Sequence, residues 1–171
     1  MPSATTDRIL DAAERRARKG GYNGFSFRDL AEDVGVKSAS VHHHFPTKEA
    51  LVARLAERYT ERFMEALETA VPNEGTLPAL RRLFRASLED DNQMCLCGML
   101  AAESAALPPA VVTETRRFFE RLISAVAGPE ADTAARQKAL SVVAQLEGAL
   151  LTARVLGDAA AFDAATADLA A

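Results

Sequence analysis

Residues 26–48 constrain the fold more than any other stretch, because they place a glycine between two short segments with helical spacing. Ser26, with the acidic residue Asp29 three positions later, resembles a capping box and predicts a helix that begins at Phe27. Gly35 is placed to end this helix, since glycine adopts positive φ without strain. The pattern predicts a helix, a tight turn and a second helix.

The second helix of the pair is expected at about residues 37–45. Its apolar residues, Val41 and Phe45, lie four positions apart and therefore share one side. The outward side chains are donors or small groups and include no acid: Lys37, Ser38, Ser40, His42 and His43. Such a face suits the major groove of DNA, where a helix presents side chains to base edges.

Clusters between about Thr6 and Leu51 resemble the TetR/AcrR family of bacterial transcriptional repressors. They lie at residues 9–13, 21–22, 25–26, 29–31, 34–36 and 44–51. The resemblance implies an all-α fold. An N-terminal three-helix helix-turn-helix DNA-binding domain is expected over residues 1–50, followed by a helical ligand-binding and dimerisation domain over residues 51–171.

The resemblance also implies roles for individual residues. The expected contacts to bases come from Lys37, Ser38, Ser40 and His43, and those to phosphates from Ser26, Arg28, His42 and Lys48. Ala39 is also expected in the DNA-binding surface. Two positions depart from the family, since Lys37 replaces its usual capping serine and His42 its usual phosphate-contacting tyrosine, but both keep a hydrogen-bond donor. The alternative is an ordinary solvated helix face. Residues 42–44 are three consecutive histidines, whose side chains point about 100° apart and cannot converge on one metal ion.

The composition agrees with a helical DNA-binding protein. The 171 residues are 49% hydrophobic and 6% aromatic, which favours helices packed on helices. The net charge of −4 is unequally distributed, because residues 1–50 carry 8 basic and 7 acidic residues while residues 51–171 carry 12 and 17. DNA affinity must therefore depend on where the N-terminal positive groups point.

No apolar N-terminal segment and no stretch of about 20 uncharged apolar residues is apparent, so a cytoplasmic protein that does not span a membrane is expected. In a reducing compartment, Cys95 and Cys97 are expected to be free thiols. They are interpreted as buried core residues or, alternatively, as sensors of electrophiles or oxidants with the same DNA-binding output.

The C-terminal part predicts a dimer. A long helix is expected from Thr47 to about residue 71, then a loop at 72–75, and the last long helix at 133–156. This last helix has two apolar faces, one formed by Leu140, Val143, Leu146, Leu150 and Val155, and a small-residue face formed by Ala144, Gly148 and Thr152. Two faces favour pairing with a second copy, and the family resemblance implies a four-helix dimer interface, here with Ala144, Gly148, Thr152 and Val155. The alternative is a buried helix in a monomer.

A small-molecule effector is expected to bind among the helices after residue 77. The candidate lining residues are Phe84, Met94, Cys95, Cys97, Met99, Glu103, Phe118, Phe119, Leu122 and Leu146. Such a lining predicts an apolar or mildly polar ligand, although the same stripes also describe an ordinary core. No cofactor, metal or catalytic group is expected. The rival functions are an enzyme, for which no convergent nucleophile and base is apparent, and a helical interaction module that does not bind DNA.

Overall fold

In the computed structural model, which describes residues 4–89 and 93–170, the described residues form helices joined by turns and contain no strand. The predicted all-α class is confirmed. The α-helices are α1 (Ala4–Gly20), α2 (Phe27–Val34), α3 (Ser38–His44), α4 (Lys48–Glu74), α5 (Thr76–Glu89), α6 (Leu96–Ala102), α7 (Pro109–Ala127), α8 (Thr133–Leu156) and α9 (Ala159–Ala165). Short 3-10 helices cover Ser104–Ala106 and Ala167–Leu169.

The chain forms two compact units. The first unit contains residues up to 59 together with 96–116, and the second unit contains residues 60–95 and 117–171. Residues 96–116 belong to the first unit because α6 packs on α1. The domain boundary after residue 50 stays a prediction.

The first unit is built around α1. Its predicted inner stripe is buried, with Ile9, Ala13 and Ala17 fully excluded from solvent. Arg16 donates two hydrogen bonds, of 2.5 and 2.8 Å, to the Asp33 carboxylate and so ties α1 to α2. The burial supplies most of the stability, since exposed ion pairs contribute little.

The second unit has an aromatic core. The Phe63 ring meets those of Phe84 and Phe118 edge to face, with centroids 5.6 and 5.3 Å apart. Helix α8 packs on α5 and α9. Asp163 of α9 accepts hydrogen bonds from Arg81, at 2.8 Å, and from Arg85, at 3.2 Å, so the arginines of α5 hold the C-terminal helix.

The predicted loop at residues 72–75 is wrong, because α4 continues through Pro72 to Glu74. Proline removes one backbone donor, but the next turn still closes, since the Gly75 N–H donates to the Val71 carbonyl at 2.9 Å. Gly75, with φ +82°, then ends the helix. A single proline in the last turn is therefore not enough to stop a helix of this length.

One of the two predicted faces of α8 is also partly wrong. Val143, Leu146 and Leu150 are buried as expected, but Leu140 and Val155 are 49% and 79% exposed. The buried side is completed by small residues instead: Ala139, Ala149 and Ala153. Small side chains let neighbouring helices approach closely, and the larger apolar residues are left on the surface.

Among the described residues, α8 is also the helix that is long and apolar enough to cross a membrane by length and composition. Its most apolar window has a mean hydropathy of 1.4 and is 39% buried inside the protein. A core helix of a soluble protein has the same properties, so this observation is weak evidence for a membrane span.

Candidate nucleic-acid interface

The turn between α2 and α3 is fixed by local hydrogen bonds. The predicted capping box is present, because the Asp29 N–H donates to the Ser26 hydroxyl at 3.3 Å and the Ser26 N–H donates to the Asp29 carboxylate at 2.7 Å. The pKa of Asp29 is lowered, mainly by the hydrogen bond from the Ser26 side chain. Gly35 has φ +73° and ends α2. The Val36 N–H then donates to the Ala31 carbonyl at 2.9 Å, which closes the turn.

Helix α3 is anchored by its inner side. Val41 is fully buried and Phe45 is 6% exposed, as their spacing predicts. Lys37 precedes the helix in extended conformation and makes no side-chain capping bond. The first turn of α3 is closed by the backbone instead, since the Ser40 N–H donates to the Lys37 carbonyl at 2.8 Å.

The outer side of α3 presents donors to solvent. Lys37, Ser38, Ala39, His42 and His43 are exposed, and Ser40 is half-buried. A helix face that only meets solvent normally carries both acidic and basic residues. Helix α3 contains no acidic residue. This arrangement presents hydrogen-bond donors without placing a carboxylate on the same helix beside an incoming phosphate.

The three histidines have different surroundings. The His42 ring packs against the Phe27 ring with centroids 4.6 Å apart, and the His44 Nδ1 shares a hydrogen bond of 3.0 Å with the Thr6 hydroxyl. His43 is exposed. No group of three or more His, Cys, Asp or Glu side chains that could hold a metal ion is found within residues 4–89 and 93–170.

The predicted phosphate-contacting residues at the start of α2, Ser26 and Arg28, are exposed but already make contacts within the protein. Arg28 is exposed and makes a 3.2 Å ion pair with Glu32, one turn away. Ser26 is exposed, but its hydroxyl is used in the capping box. These two residues lie at the start of α2, so a phosphate near that end would meet the Arg28 guanidinium and the positive end of the helix dipole.

Lys48 is engaged inside the first unit. Its ammonium donates to the Phe25 carbonyl and lies 4.9 Å from the centroid of the Tyr22 ring and 4.5 Å from that of the Phe25 ring. Burial lowers the pKa of Lys48, while the charges of Asp29 and Glu103 oppose this shift. The sequence did not reveal this cage, because its members are separated by up to 26 residues.

A family model for bacterial regulatory proteins of the tetR family matches residues 9–55, which contain α2, the turn and α3. A TetR transcriptional regulator from Legionella pneumophila is 31% identical, with a TM-score of 0.88 over 98% of this chain and 96% of that chain. The chain belongs to the TetR family. A TetR-family regulator from Agrobacterium tumefaciens is 32% identical, with a TM-score of 0.89 over 97% of this chain and 95% of that one.

Curated relatives of this TetR-family chain are named as regulators of transcription. The repressor KstR2 of Mycolicibacterium smegmatis is 30% identical over 93 residues, which are 52% of this chain and 44% of KstR2. The regulator CymR of Pseudomonas putida is 32% identical over 122 residues, 68% of this chain and 59% of CymR. The chain thus spans less than two thirds of these relatives. It is a helix-turn-helix transcriptional regulator, and the expected resemblance is confirmed.

The predicted effector-binding residues of this TetR-family protein are divided between the two units. Seven lie in the second unit and three, Cys97, Met99 and Glu103, in the first. The aromatic members of the set belong to the core described above, and Glu103 accepts a 3.0 Å hydrogen bond from the Tyr22 N–H. The other members in the second unit, Met94, Cys95, Leu122 and Leu146, are buried. Most of the predicted effector-binding residues therefore belong to the packed interior, and none of the set lines the groove described next.

A groove in the second unit, of about 680 Å³, lies elsewhere, between α4 and α7. The α4 wall is apolar except for Glu68, and the α7 wall carries Arg117, Arg121 and Glu120. The lining residues are Met64, Leu67, Glu68, Val71, Pro72, Thr76, Arg117, Glu120, Arg121, Ser124, Ala125, Gly128 and Pro129. The sequence did not point to this groove, since residues that line a groove have the same helical spacing as residues that fill a core.

The predicted dimer-interface residues Ala144, Gly148, Thr152 and Val155 are all exposed on α8. The exposed residues of α8 from 140 onward are uncharged, and the larger apolar ones are Leu140, Leu151, Val155 and Leu156. Glu147 lies on the same helix, but its Oε1 atom is buried without a hydrogen-bond partner. Burial raises the pKa of Glu147 to about 7, although a hydrogen bond with Cys95 opposes the shift. Glu147 was not singled out from the sequence, although a single acid within a largely apolar helix could have indicated it.

Proposed function

We propose that this TetR-family regulator is a homodimeric repressor that binds a palindromic operator in double-stranded DNA and is released by a small molecule. The observation that carries the DNA-binding part is the exposed, acid-free donor face of α3 on a firmly capped helix-turn-helix. The proposal assigns base contacts to Lys37, Ser38, Ala39, Ser40 and His43. It assigns phosphate contacts to Ser26, Arg28, His42 and, once its ammonium leaves the aromatic cage, Lys48.

The dimer is proposed from the exposed face of α8. Leu151, Val155 and Leu156 are more than half exposed, and apolar side chains of this size are normally buried. The smaller Ala144 and Gly148 on the same side would allow two α8 helices to approach closely. A two-fold pair would cover this face twice, and its two α3 helices would bind half-sites roughly 34–36 Å apart.

The effector is proposed to bind in the groove between α4 and α7, which replaces the buried set predicted from the sequence. Its volume of about 680 Å³ is within the usual range of small-molecule sites. Met64, Leu67 and Val71 offer an apolar wall to an apolar or mildly polar ligand. Arg121 lies 3.9 Å from Glu68, at the limit of an ion pair, so a polar group of the ligand can compete for the guanidinium.

Release requires that the effector bind one conformation better than another. Helix α4 supplies one wall of the groove and also begins directly after the helix-turn-helix, at Lys48. We expect the ligand to favour a position of α4 in which the two α3 helices no longer match the half-site spacing. A differential affinity of roughly 3 kcal/mol would shift the ratio of the two states by about 150-fold.

The first test is a fluorescence-anisotropy titration with the DNA that flanks the gene of this protein, against an unrelated duplex of equal length. We expect tighter binding to the flanking DNA, which a panel of small apolar carboxylates, alcohols and aromatics then relieves. Equal binding to both duplexes at physiological salt would refute the operator proposal. An effector found in this way should fail to release Ser124→Trp, which fills the groove, but should release Ala110→Trp, which is exposed outside it.

The thiol-sensor alternative is less well supported, because Cys95 is 1% exposed and Cys97 is fully buried. A reagent must reach a thiolate to modify it, and an apolar environment disfavours the thiolate. No observation favours the enzyme alternative, and the exposed face of α3 argues against a module that does not bind DNA. As a transcriptional regulator of a bacterial family, the protein is proposed to be located in the cytoplasm.

A further inference from the structure

Glu103 makes an unexpected contact with the DNA-binding part of the first unit. It follows α6, and its carboxylate Oε2 accepts a 3.0 Å hydrogen bond from the Tyr22 N–H in the turn between α1 and α2. The two residues are 81 positions apart in sequence. A carboxylate that accepts a backbone N–H makes a stronger bond than a neutral acceptor does.

Gly21 lies directly against the same carboxylate. It is buried, has φ +69°, and a Cβ atom at this position would lie 1.7 Å from the Glu103 Oε1. The carboxylate therefore occupies the space that any other residue would fill. Glycine is needed here both for the positive φ and for this close approach.

Lys48 contacts the same turn. Its ammonium is held by the Phe25 carbonyl and by the rings of Tyr22 and Phe25, as described above. The charge of Glu103 favours the protonated form of Lys48 and so opposes the effect of burial on its pKa. Tyr22 is thus held through its backbone by an acid and through its ring by a base.

We infer that Glu103 is a positioning residue through which the segment that contains α6 holds the α1–α2 turn, and thereby the helix-turn-helix, in its DNA-binding conformation. The inference rests on the proposed operator binding. Tyr22 lies five positions before Phe27, the first residue of α2, so a displaced turn moves the start of the helix that supports α3. Glu103 directly follows α6, which packs on α1, so this contact joins the turn to α6 within the first unit.

A positioning role and a purely electrostatic role predict effects of opposite sign. Removing a negative charge near DNA strengthens binding to a polyanion. Removing the group that holds the turn weakens it. Glu103→Ala loses both the charge and the acceptor, whereas Glu103→Gln loses the charge but keeps an acceptor for the Tyr22 N–H.

The experiment measures the affinity of the full chain for a duplex that carries the DNA flanking its gene, and for sheared genomic DNA, at several salt concentrations. Amide hydrogen exchange of Tyr22 is followed by NMR in the same variants. For Glu103→Ala we expect affinity for the flanking duplex to fall roughly tenfold and Tyr22 exchange to rise at least roughly tenfold, because a hydrogen bond to a charged acceptor is lost. Glu103→Gln should retain both within about threefold of wild type.

Gly21→Ala provides an independent variant and a double-mutant cycle. Its methyl group displaces the Glu103 carboxylate, so Gly21→Ala alone should also accelerate Tyr22 exchange. In the Glu103→Ala background the methyl group meets no carboxylate, and the second substitution should cost less than it does in wild type. Glu130→Ala removes an exposed acid from the second unit and serves as the matched charge control.

Equal affinities for Glu103→Ala and Glu103→Gln would overturn the inference alone, and so would additive effects in the double-mutant cycle. Faster Tyr22 exchange with unchanged or stronger DNA binding in Glu103→Ala would show that the contact is structural only. If the wild-type protein binds neither DNA, the proposed function fails and the inference fails with it. Loss of folding in Glu103→Ala leaves Glu103→Gln and Gly21→Ala, whose Tyr22 exchange rates must differ if the contact is as described.

Discussion

Helices α3 and α8 each expose a face that is unusual for a protein in water, and the two faces differ in chemistry. The exposed side of α3 carries Lys37, His42 and His43 with serines between them and no acid. The exposed residues of α8 after residue 140 are uncharged, and the two charged residues of that stretch, Glu147 and Arg154, are half-buried. A surface that only meets solvent usually mixes both charges with scattered apolar residues. The chemistry of each face matches the partner proposed for it: a polyanion for α3 and a second apolar face for α8.

The largest effect is expected from a charge placed on the apolar face of α8. Ala144→Glu puts a carboxylate at the centre of the proposed dimer interface, where its desolvation prevents pairing. A lone subunit keeps one half-site, so operator affinity should fall roughly hundredfold or more. Analytical ultracentrifugation gives the oligomeric state and anisotropy gives the affinity.

The matched control for that prediction is Ala86→Glu, which introduces the same group at an exposed alanine of α5. It should leave both the oligomeric state and the affinity unchanged. If Ala144→Glu remains a dimer that binds the operator as wild type does, the exposed face of α8 is not the subunit interface.

The next effect concerns Glu147, the one acid on α8 that interrupts its apolar character. Its pKa is raised to about 7 in the folded protein, so its contribution to stability is complete below the unfolded pKa of about 4.5 and is lost as the pH rises through 7. At pH 8, Glu147→Gln should therefore be more stable than wild type by roughly 2–3 kcal/mol, and its stability should vary less between pH 5 and 8.

Urea unfolding at several pH values measures this difference. The exposed acid Glu130 is the control, because Glu130→Gln should leave the pH dependence of the wild type intact. The prediction is contradicted if the stability of the wild-type protein rises from pH 5 to pH 8 and Glu147→Gln does not change that rise. Ionisation of Glu147 would then not destabilise the folded state.

A smaller and more selective effect is expected on the donor face of α3. Lys37→Ala and Ser40→Ala should change which bases are preferred and cost about 1–3 kcal/mol on the preferred operator, since they remove proposed base contacts. His42→Ala should weaken binding to all sequences alike. Lys138→Ala removes an exposed lysine of α8 and is the control for the loss of a positive charge.

Titrations against a set of operator variants at two salt concentrations separate these effects. Binding that remains as in wild type for Lys37→Ala, Ser40→Ala and His42→Ala would remove α3 from the interface. In that case the contrast between the two exposed faces would no longer distinguish a DNA-binding surface from a solvated one.

Local chemistry explains which parts of the fold could be predicted from the sequence. The capping box, Gly35 and the buried pair of Val41 and Phe45 are determined within a few residues, and each appears as expected. The bounds of α8 are equally local, because Asp132 caps it and Gly157 ends it with φ +64°. Features of this kind depend on residues that the chain itself brings together.

The remaining features depend on contacts between distant residues. Lys48 was predicted to face a phosphate, but its ammonium is held by Tyr22 and Phe25 in the turn between α1 and α2. Glu103 was predicted to face an effector, but it holds the Tyr22 N–H. The sequence gives the type of a charged residue, but the group that its side chain contacts depends on how distant segments pack together. The groove between α4 and α7 was missed for the same reason, since its lining residues resemble those of a core.

The smallest effect is expected from the two thiols, which belong to neither exposed face. Because Cys95 and Cys97 are buried, an alkylating reagent should modify the folded protein no faster than the protein unfolds, and operator binding should remain within about twofold of wild type during that time. Mass spectrometry follows the modification and anisotropy follows the binding, with urea-unfolded protein as the positive control. Rapid alkylation accompanied by release of DNA, absent from the Cys95→Ser, Cys97→Ser double variant, would instead make these thiols a sensor. Regulation would then rest on covalent chemistry in the core rather than on a ligand in the groove.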